Sequence, residues 1–265
     1  MNSLFDTHCH LYLPDFRDDL TLIIERAKQK NITNILIPGI DIKSSEKAIK
    51  LCASQPLLLH PAVGIHPNYG NQINSAIIKE LRDLASNQLV VAIGEIGLDY
   101  YRNFTPINDQ KQLLNMQLKL ALAIDKPIII HNRDAENHLW DIIGKWYEKI
   151  PSNSPLKNRP GVFHSFSSSL EFAKQAIKKG FYIGVGGPIT YKKSKNYRKL
   201  ISQLPIERIL IETDSPYLAP QQYRGKRNEP SFLVYTAQRL SEIFQINFDT
   251  LSEITTRNAK LLFNI

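Results

Sequence analysis

Apolar positions in this chain fall into short, near-continuous runs separated by longer amphipathic stretches. The runs are Ser3-Leu4-Phe5-Asp6-Thr7, residues 34–37, residues 57–65, residues 89–94, Pro127-Ile128-Ile129-Ile130, Gly161-Val162-Phe163, residues 181–185 and Ile209-Leu210-Ile211. Runs rich in Val, Ile and Leu read as strands buried on both faces, which is the habit of a parallel sheet. Between them, residues 16–30, 44–54, 74–87, 107–124, 136–149, 170–179, 194–204 and 231–244 carry helical periodicity. Eight alternating strand–helix units predict an α/β fold. In 265 residues they predict a single (β/α)8 barrel, whose usual size is about 250 residues. A doubly wound sheet is the competing arrangement, but no Gly-x-Gly-x-x-Gly opens a helix after the first strand. Residues 1–265 are therefore expected to form one barrel domain.

Polar residues punctuate the ends of these runs. His8 and His10 close the first, His66 the third, Glu95 the fourth, His131 the fifth and His164 the sixth, while Glu212 and Asp214 follow the eighth. Barrel enzymes draw catalytic groups from the C-terminal ends of several strands. On a strand, His8 and His10 share one face with Asp6 below them, and Cys9 turns away. A lone His-x-His is more often a pair of satisfied polar residues. Here it is one of several donor groups at successive strand exits, an arrangement that packing does not explain.

His8, His10, Glu95, His131, His164 and Asp214 make a nitrogen and carboxylate donor set suited to two divalent ions that share a carboxylate. Glu95 is the natural bridge: His8, His10, Glu95 and Asp214 around one ion, Glu95, His131 and His164 around the other. Mixed imidazole and carboxylate ligation accepts Zn, Mn, Fe, Co or Ni, and Mg where phosphate and water oxygens complete the shell. The absence of cysteine ligands argues against a closed structural zinc site. Two such ions acidify water and neutralise a phosphodiester. The candidate catalytic residues are then Glu95 as bridge, Asp214 as proton acceptor, and His66 as a contact to the scissile phosphate, with a turn cap as its alternative role.

Other residues carry less. His60 lies within a strand run and reads as a core histidine. Arg133 is either a phosphate clamp or, with Asp134, part of a salt bridge at a helix start. Glu212 reads equally as a support behind the donors and as a structural ion pair. Tyr100, Tyr101 and Tyr217 suit base stacking, although tyrosines in barrel loops usually pack. Asp99 reads as a structural loop residue. Cys9 and Cys52, the only cysteines, form no framework. That fits a reducing compartment, and with no segment resembling a secretory signal or membrane span the expected location is cytoplasmic. A monomer is compatible with a site built in one barrel.

Net charge is +8 and uneven. Residues 145–199 hold twelve Lys/Arg against Glu148 and Glu171, a local balance of +10, so the remainder stands at −2. Lys192, Lys193, Lys195, Arg198 and Lys199 follow the seventh strand; Arg224, Lys226 and Arg227 follow the eighth. Basic loops beside a metal site suit a polyanion such as nucleic acid, although basic surfaces are common on soluble proteins.

The ordered motifs resemble the TatD family of metal-dependent deoxyribonucleases. They are Asp6-Thr7-His8-Cys9-His10-Leu11, Gly64-Ile65-His66-Pro67, Gly94-Glu95-Ile96-Gly97-Leu98-Asp99-Tyr100, Ile130-His131-Asn132-Arg133-Asp134-Ala135, His164-Ser165-Phe166-Ser167, Glu212-Thr213-Asp214-Ser215-Pro216 and Arg224-Gly225-Lys226-Arg227-Asn228-Glu229-Pro230. The resemblance implies a metallo-dependent hydrolase barrel and a cytoplasmic, divalent-metal nuclease, often a 3′–5′ exonuclease on DNA. It also implies metal positions at His8, His10, Glu95, His131, His164 and Asp214, and a substrate contact at His66. Many relatives read His-Cys-Phe-Ser-Gly where this chain has His164-Ser165-Phe166-Ser167-Ser168, so the loop over the site differs.

Two alternatives remain. One is a barrel metallo-hydrolase acting on another ester or amide bond, including a D-aminoacyl-tRNA deacylase. A carbamylated-lysine branch of such enzymes is disfavoured because no lysine lies between Leu89 and Tyr101. The other is a nucleic-acid-binding protein without catalysis, which the complete donor set argues against. DNA is the expected partner, with RNA a further substrate and no membrane involved.

Overall fold

In the computed structural model, which describes residues 3–72, 74–102 and 104–265, eight strands form one sheet in sequential order and wholly parallel. They are β1 (Leu4–Asp6), β2 (Ile32–Pro38), β3 (Leu59–Val63), β4 (Ala92–Asp99), β5 (Ile128–Arg133), β6 (Gly161–Phe163), β7 (Tyr182–Val185) and β8 (Ile209–Ile211). The first and last strands are joined beyond their ends. Thr7 N–H donates to the Ile211 carbonyl at 3.1 Å, Asp214 N–H to His8 at 2.9 Å and His10 N–H to Ser215 at 2.8 Å. The sheet thus wraps into the barrel that the alternating pattern predicts.

Each strand contributes one side chain to an interior layer: Phe5, Leu36, Ala62, Ala92, Ile129, Val162, Tyr182 and Leu210. Their neighbours, such as Ile35, Ile37, Ile128 and Ile130, face the helices and join the larger outer core. Burial on both faces explains why the runs lack polar alternation. Each of the Leu, Ile, Val and Phe side chains among them contributes roughly 1.5–3 kcal/mol by leaving water.

The helices are α1 (Leu20–Gln29), α2 (Ile42–Ser54), α3 (Ser75–Ala85), α4 (Ile107–Ala123), α5 (Glu136–Tyr147), α6 (Leu170–Lys178), α7 (Lys195–Ile201), α8 (Leu233–Phe244) and α9 (Phe248–Phe263). Caps set several starts. Asp41 and Ser44 bond reciprocally to open α2, and Ser169 and Asn247 accept from Phe172 and Thr250 N–H to open α6 and α9.

Three elements depart from the sequence reading. The helix expected from residue 16 begins at Leu20, because Pro14–Phe16 forms a separate 3-10 turn. Strand β4 continues past residue 94 to Asp99, so Glu95 lies inside a strand and not beyond it. Helix α9 was not anticipated. It packs on β1 and β8 and sets Ala259, Leu262 and Phe263 against the interior layer as the barrel's floor. His60 is a core histidine as expected, 2.8 Å from Asn34 Oδ1, and burial pushes it down to about 4.

Candidate metal centre

The six donors converge at the C-terminal ends of the strands, around Glu95. Glu95 Oε1 lies 2.8 Å from His164 Nε2 and 3.0 Å from His131 Nδ1. Oε2 lies 3.4 Å from His8 Nε2 and 3.8 Å from His10 Nε2. Asp214 Oδ1 stands 3.8 Å and 3.6 Å from those same two nitrogens. The two oxygens of one carboxylate therefore face two different donor groups, the ones the sequence assigned to two ions.

Local backbone explains the convergence. Ile93 pairs with Ile128 and Ile96 with Ile130, so β4 holds one residue more than β5 across this span. Such a bulge re-aims a side chain, and here it turns Glu95 into the mouth. Gly97 follows at φ +150°, where a Cβ would fall 1.9 Å from the His131 carbonyl oxygen, so only glycine allows β4 and β5 to approach there. In β1 the parity argument needs correction. Leu4 and Cys9 both face the outer core, five residues apart, so alternation slips once between them. The strand ends at Asp6, whose carboxylate accepts from Thr213 N–H and Oγ1 at 2.9 Å and 2.6 Å and from His8 N–H at 3.3 Å. His8 and His10 still converge, Nε2 to Nε2, at 3.2 Å.

The donor chemistry fits divalent cations. His131 stands between two carboxylates, Nε2 3.2 Å from Asp99 and Nδ1 3.0 Å from Glu95, and against burial the two push its pKa up; with the hydrogen kept on the Asp99 side, Nδ1 is the nitrogen a cation would share with His164 Nε2, 3.3 Å away. Lone pairs and carboxylates crowded face to face are a cation's environment. His66 differs. Its Nδ1 accepts from Asn68 N–H at 3.1 Å, leaving the hydrogen on Nε2, which points at Glu95 Oε1 from 3.5 Å. It is built as a hydrogen-bond donor beside the cluster.

Charge is distributed to match. Burial opposes ionisation of Glu95, yet His164, His66 and His131 hold it well below the usual carboxylate range. Burial likewise opposes the charge on His164, but Glu95, Glu212 and Asp214 lift it to about 9. Burial pushes His8 down to about 4 and His66 to about 3.

The remaining candidates sort by contact. Asp99, read as a loop residue, ends β4 and holds His131; its sequence signal was its place in the Gly94–Tyr100 motif, four residues after Glu95. Glu212 is buried behind His164, with Oε1 accepting from Ser165 N–H and lying 3.9 Å from His164 Nδ1. Ser168 accepts from Asn132 Nδ2 at 2.9 Å and ties the loop after β6 to β5. Arg133 stacks on Tyr101 at 3.7 Å, and Tyr100 bonds His138 Nδ1 at 3.0 Å. Arg198 is spent on the Ile189 and Tyr191 carbonyls and Arg227 on Asp19, so the basic rim reduces mainly to lysines.

An eight-stranded parallel barrel whose strand ends gather imidazoles and carboxylates defines a metallo-hydrolase. The family model described as TatD related DNase matches residues 5–264, and the chain belongs to that family. It is 36% identical over 262 residues to the uncharacterized metal-dependent hydrolase YabD of Bacillus subtilis, covering 99% of both chains. It is 30% identical over 267 residues to the 3′–5′ ssDNA/RNA exonuclease TatD of Pectobacterium carotovorum, covering 99% of this chain and 100% of that one. The crystal structure of a TatD homologue from Escherichia coli superposes with a TM-score of 0.90 at 31% identity, covering 99% of this chain and 98% of that one. The protein is thus a TatD-type metal-dependent hydrolase. Among the described residues, no helix is long and apolar enough to cross a membrane.

Proposed function

We propose that residues 1–265 act as one cytoplasmic catalytic domain that hydrolyses phosphodiesters at the 3′ ends of DNA, with RNA as a further substrate. The observation that carries this is the division of Glu95, one carboxylate oxygen toward His8 and His10 and the other toward His131 and His164. His8, His10, Glu95 and Asp214 would hold one divalent ion, and Glu95, His131 and His164 a second. Mg, Mn, Zn, Co and Ni all suit this donor set. Bound there, such ions supply Lewis acidity toward the phosphodiester and toward water.

The chain's own residues do the rest. Asp214 is held in its ionised form by His10 and His8 despite burial, so its carboxylate is ready to accept a proton from the attacking water. His66, neutral and carrying its hydrogen on Nε2, donates to a phosphate oxygen. Asp99 holds His131 from behind, and buried Glu212 lies 3.9 Å behind His164 Nδ1. Exposed Lys192, Lys193, Lys195 and Lys199 draw the polyanion toward the mouth.

The test is metal-free protein reloaded with each ion in turn and offered 3′- and 5′-labelled DNA and RNA strands. A carboxylic ester and a mis-acylated tRNA serve as competing substrates. Stepwise loss of 3′ nucleotides is expected. Ester or aminoacyl-tRNA turnover with intact strands under every ion rejects the proposal.

A further inference from the structure

Large apolar side chains left exposed by a folded chain concentrate where something binds. Exposed large apolar side chains are spread over the chain, among them Leu22, Leu57 and Leu261, but Tyr69, Tyr101, Phe104, Tyr217 and Leu218 stand together in the loops after β3, β4 and β8, where the donor cluster lies. Two of them cap histidines of the site. Tyr217 meets His10 edge-on with ring centroids 6.3 Å apart, and Tyr69 meets His66 edge-on at 6.5 Å. Neither ring joins the hydrophobic core, as Tyr12 and Tyr100 do.

Both rings are held out by rigid backbone. Tyr217 N–H donates to the Asp214 carbonyl at 2.8 Å, and its own carbonyl accepts from Asn228 Nδ2 at 2.7 Å. Buried Asn228 also grips the Thr213 carbonyl at 2.8 Å, tying this segment to the donor that precedes it. Tyr69 N–H donates to the His66 carbonyl at 2.9 Å. Its neighbours are fixed too, Asn68 N–H on His66 Nδ1 and Gly70 N–H on Thr105 Oγ1, each at 3.1 Å. A ring 55% exposed in one case and 49% in the other, on backbone anchored to a histidine or carboxylate of the site, is a preorganised contact surface.

We propose that Tyr69 and Tyr217 are a base-stacking pair, each taking the face of one unpaired nucleobase on either side of the scissile phosphodiester. The inference rests on the phosphodiesterase reading above. Aromatic rings stack on any base, so the pair selects unpaired strand ends without reading sequence. A duplex end, whose bases stay stacked in the helix, gains nothing from it.

The experiment compares a labelled single strand with the same strand carrying abasic residues at its two 3′-terminal positions. Binding is followed by fluorescence anisotropy and cleavage by kcat/KM. The wild type is expected to favour the base-bearing strand roughly tenfold or more in both readouts. Y69A and Y217A should each drive that ratio toward one, while Y69F and Y217F keep it. A wild-type ratio near one, a ratio that survives both alanine variants, or equal losses on both strands overturns the pair. A wild type that binds with this preference yet cuts neither strand supports the pair and rejects the phosphodiesterase reading, so the two failures are told apart.

Discussion

His131 Nε2 stands 3.2 Å from Asp99 Oδ2, and that contact decides which nitrogen of His131 faces Glu95. With the hydrogen given to Asp99, Nδ1 is left with a lone pair for an ion. The D99N variant keeps an oxygen to accept from Tyr101 and Arg102 N–H, which now bond Asp99 Oδ1, but loses the charge that holds the tautomer. Metal affinity should fall about 10- to 100-fold. Competition with a chromophoric chelator measures it, and an unchanged affinity would mean the tautomer is set elsewhere.

Glu95 joins the two donor groups, so its removal should act on both. In Glu95→Ala we expect metal content to drop and turnover to fall by on the order of a thousandfold or more. Elemental analysis after dialysis, run beside a cleavage assay, reads both quantities. Retained activity would remove the bridge from the site.

His66 separates substrate contact from metal binding. Its Nε2 hydrogen makes it a donor, so His66→Ala should leave the metal content intact while lowering kcat by about 10- to 100-fold. His66→Gln, which keeps an N–H donor, should recover part of the loss. If His66→Ala instead loses metal, the ring is a ligand and the Asn68 contact is not fixing its tautomer.

Metal affinity should rise with pH. His164 is lifted to about 9, against burial, by Glu95, Glu212 and Asp214, so in the metal-free protein it is charged at neutral pH. An ion must displace that proton. Between pH 9 and pH 7 affinity at this half of the centre should fall at least about tenfold per pH unit, since His131, pushed up by Asp99 and Glu95, also releases a proton wherever it is charged, and it should level off above pH 9. His8, already neutral because burial pushes it to about 4, adds nothing over this window. Calorimetry in buffers of different ionisation heat counts the released protons, and a count near zero at pH 7 contradicts the account.

Much of this centre was legible because barrel geometry converts sequence spacing into position. A donor after an apolar run becomes a donor at the mouth, so His131 and His164 needed no coordinates. What the pattern hid depended on local backbone. The extra residue in β4 places Glu95 inside a strand, and the parity slip after Phe5 rescues His8 and His10 from the wrong face. Asp99 was undervalued because its role is set by a partner thirty-two residues away. Tyr69 carried no motif at all; only its exposure and its anchored loop distinguish it. Helix α9 had an ordinary signal in the Asn247 cap and the apolar stripe that follows. It lies outside the eight repeating strand–helix units that define the barrel.

That floor makes its own prediction. Phe263 is buried and packs against Phe5 of the interior layer, ring centroids 6.1 Å apart, with Leu262 and Ala259 in the same interior cluster. Phe263→Ala opens a cavity that the barrel wall, hydrogen-bonded all round, has little freedom to fill. The variant should lose about 3–5 kcal/mol of stability. The donor cluster lies at the opposite end of the strands, so metal affinity of the folded fraction should stay within twofold. Urea denaturation followed by circular dichroism measures the first quantity and chelator competition the second. A stability loss below about 1 kcal/mol would show that α9 merely leans on the barrel, with the interior layer closed by its own side chains.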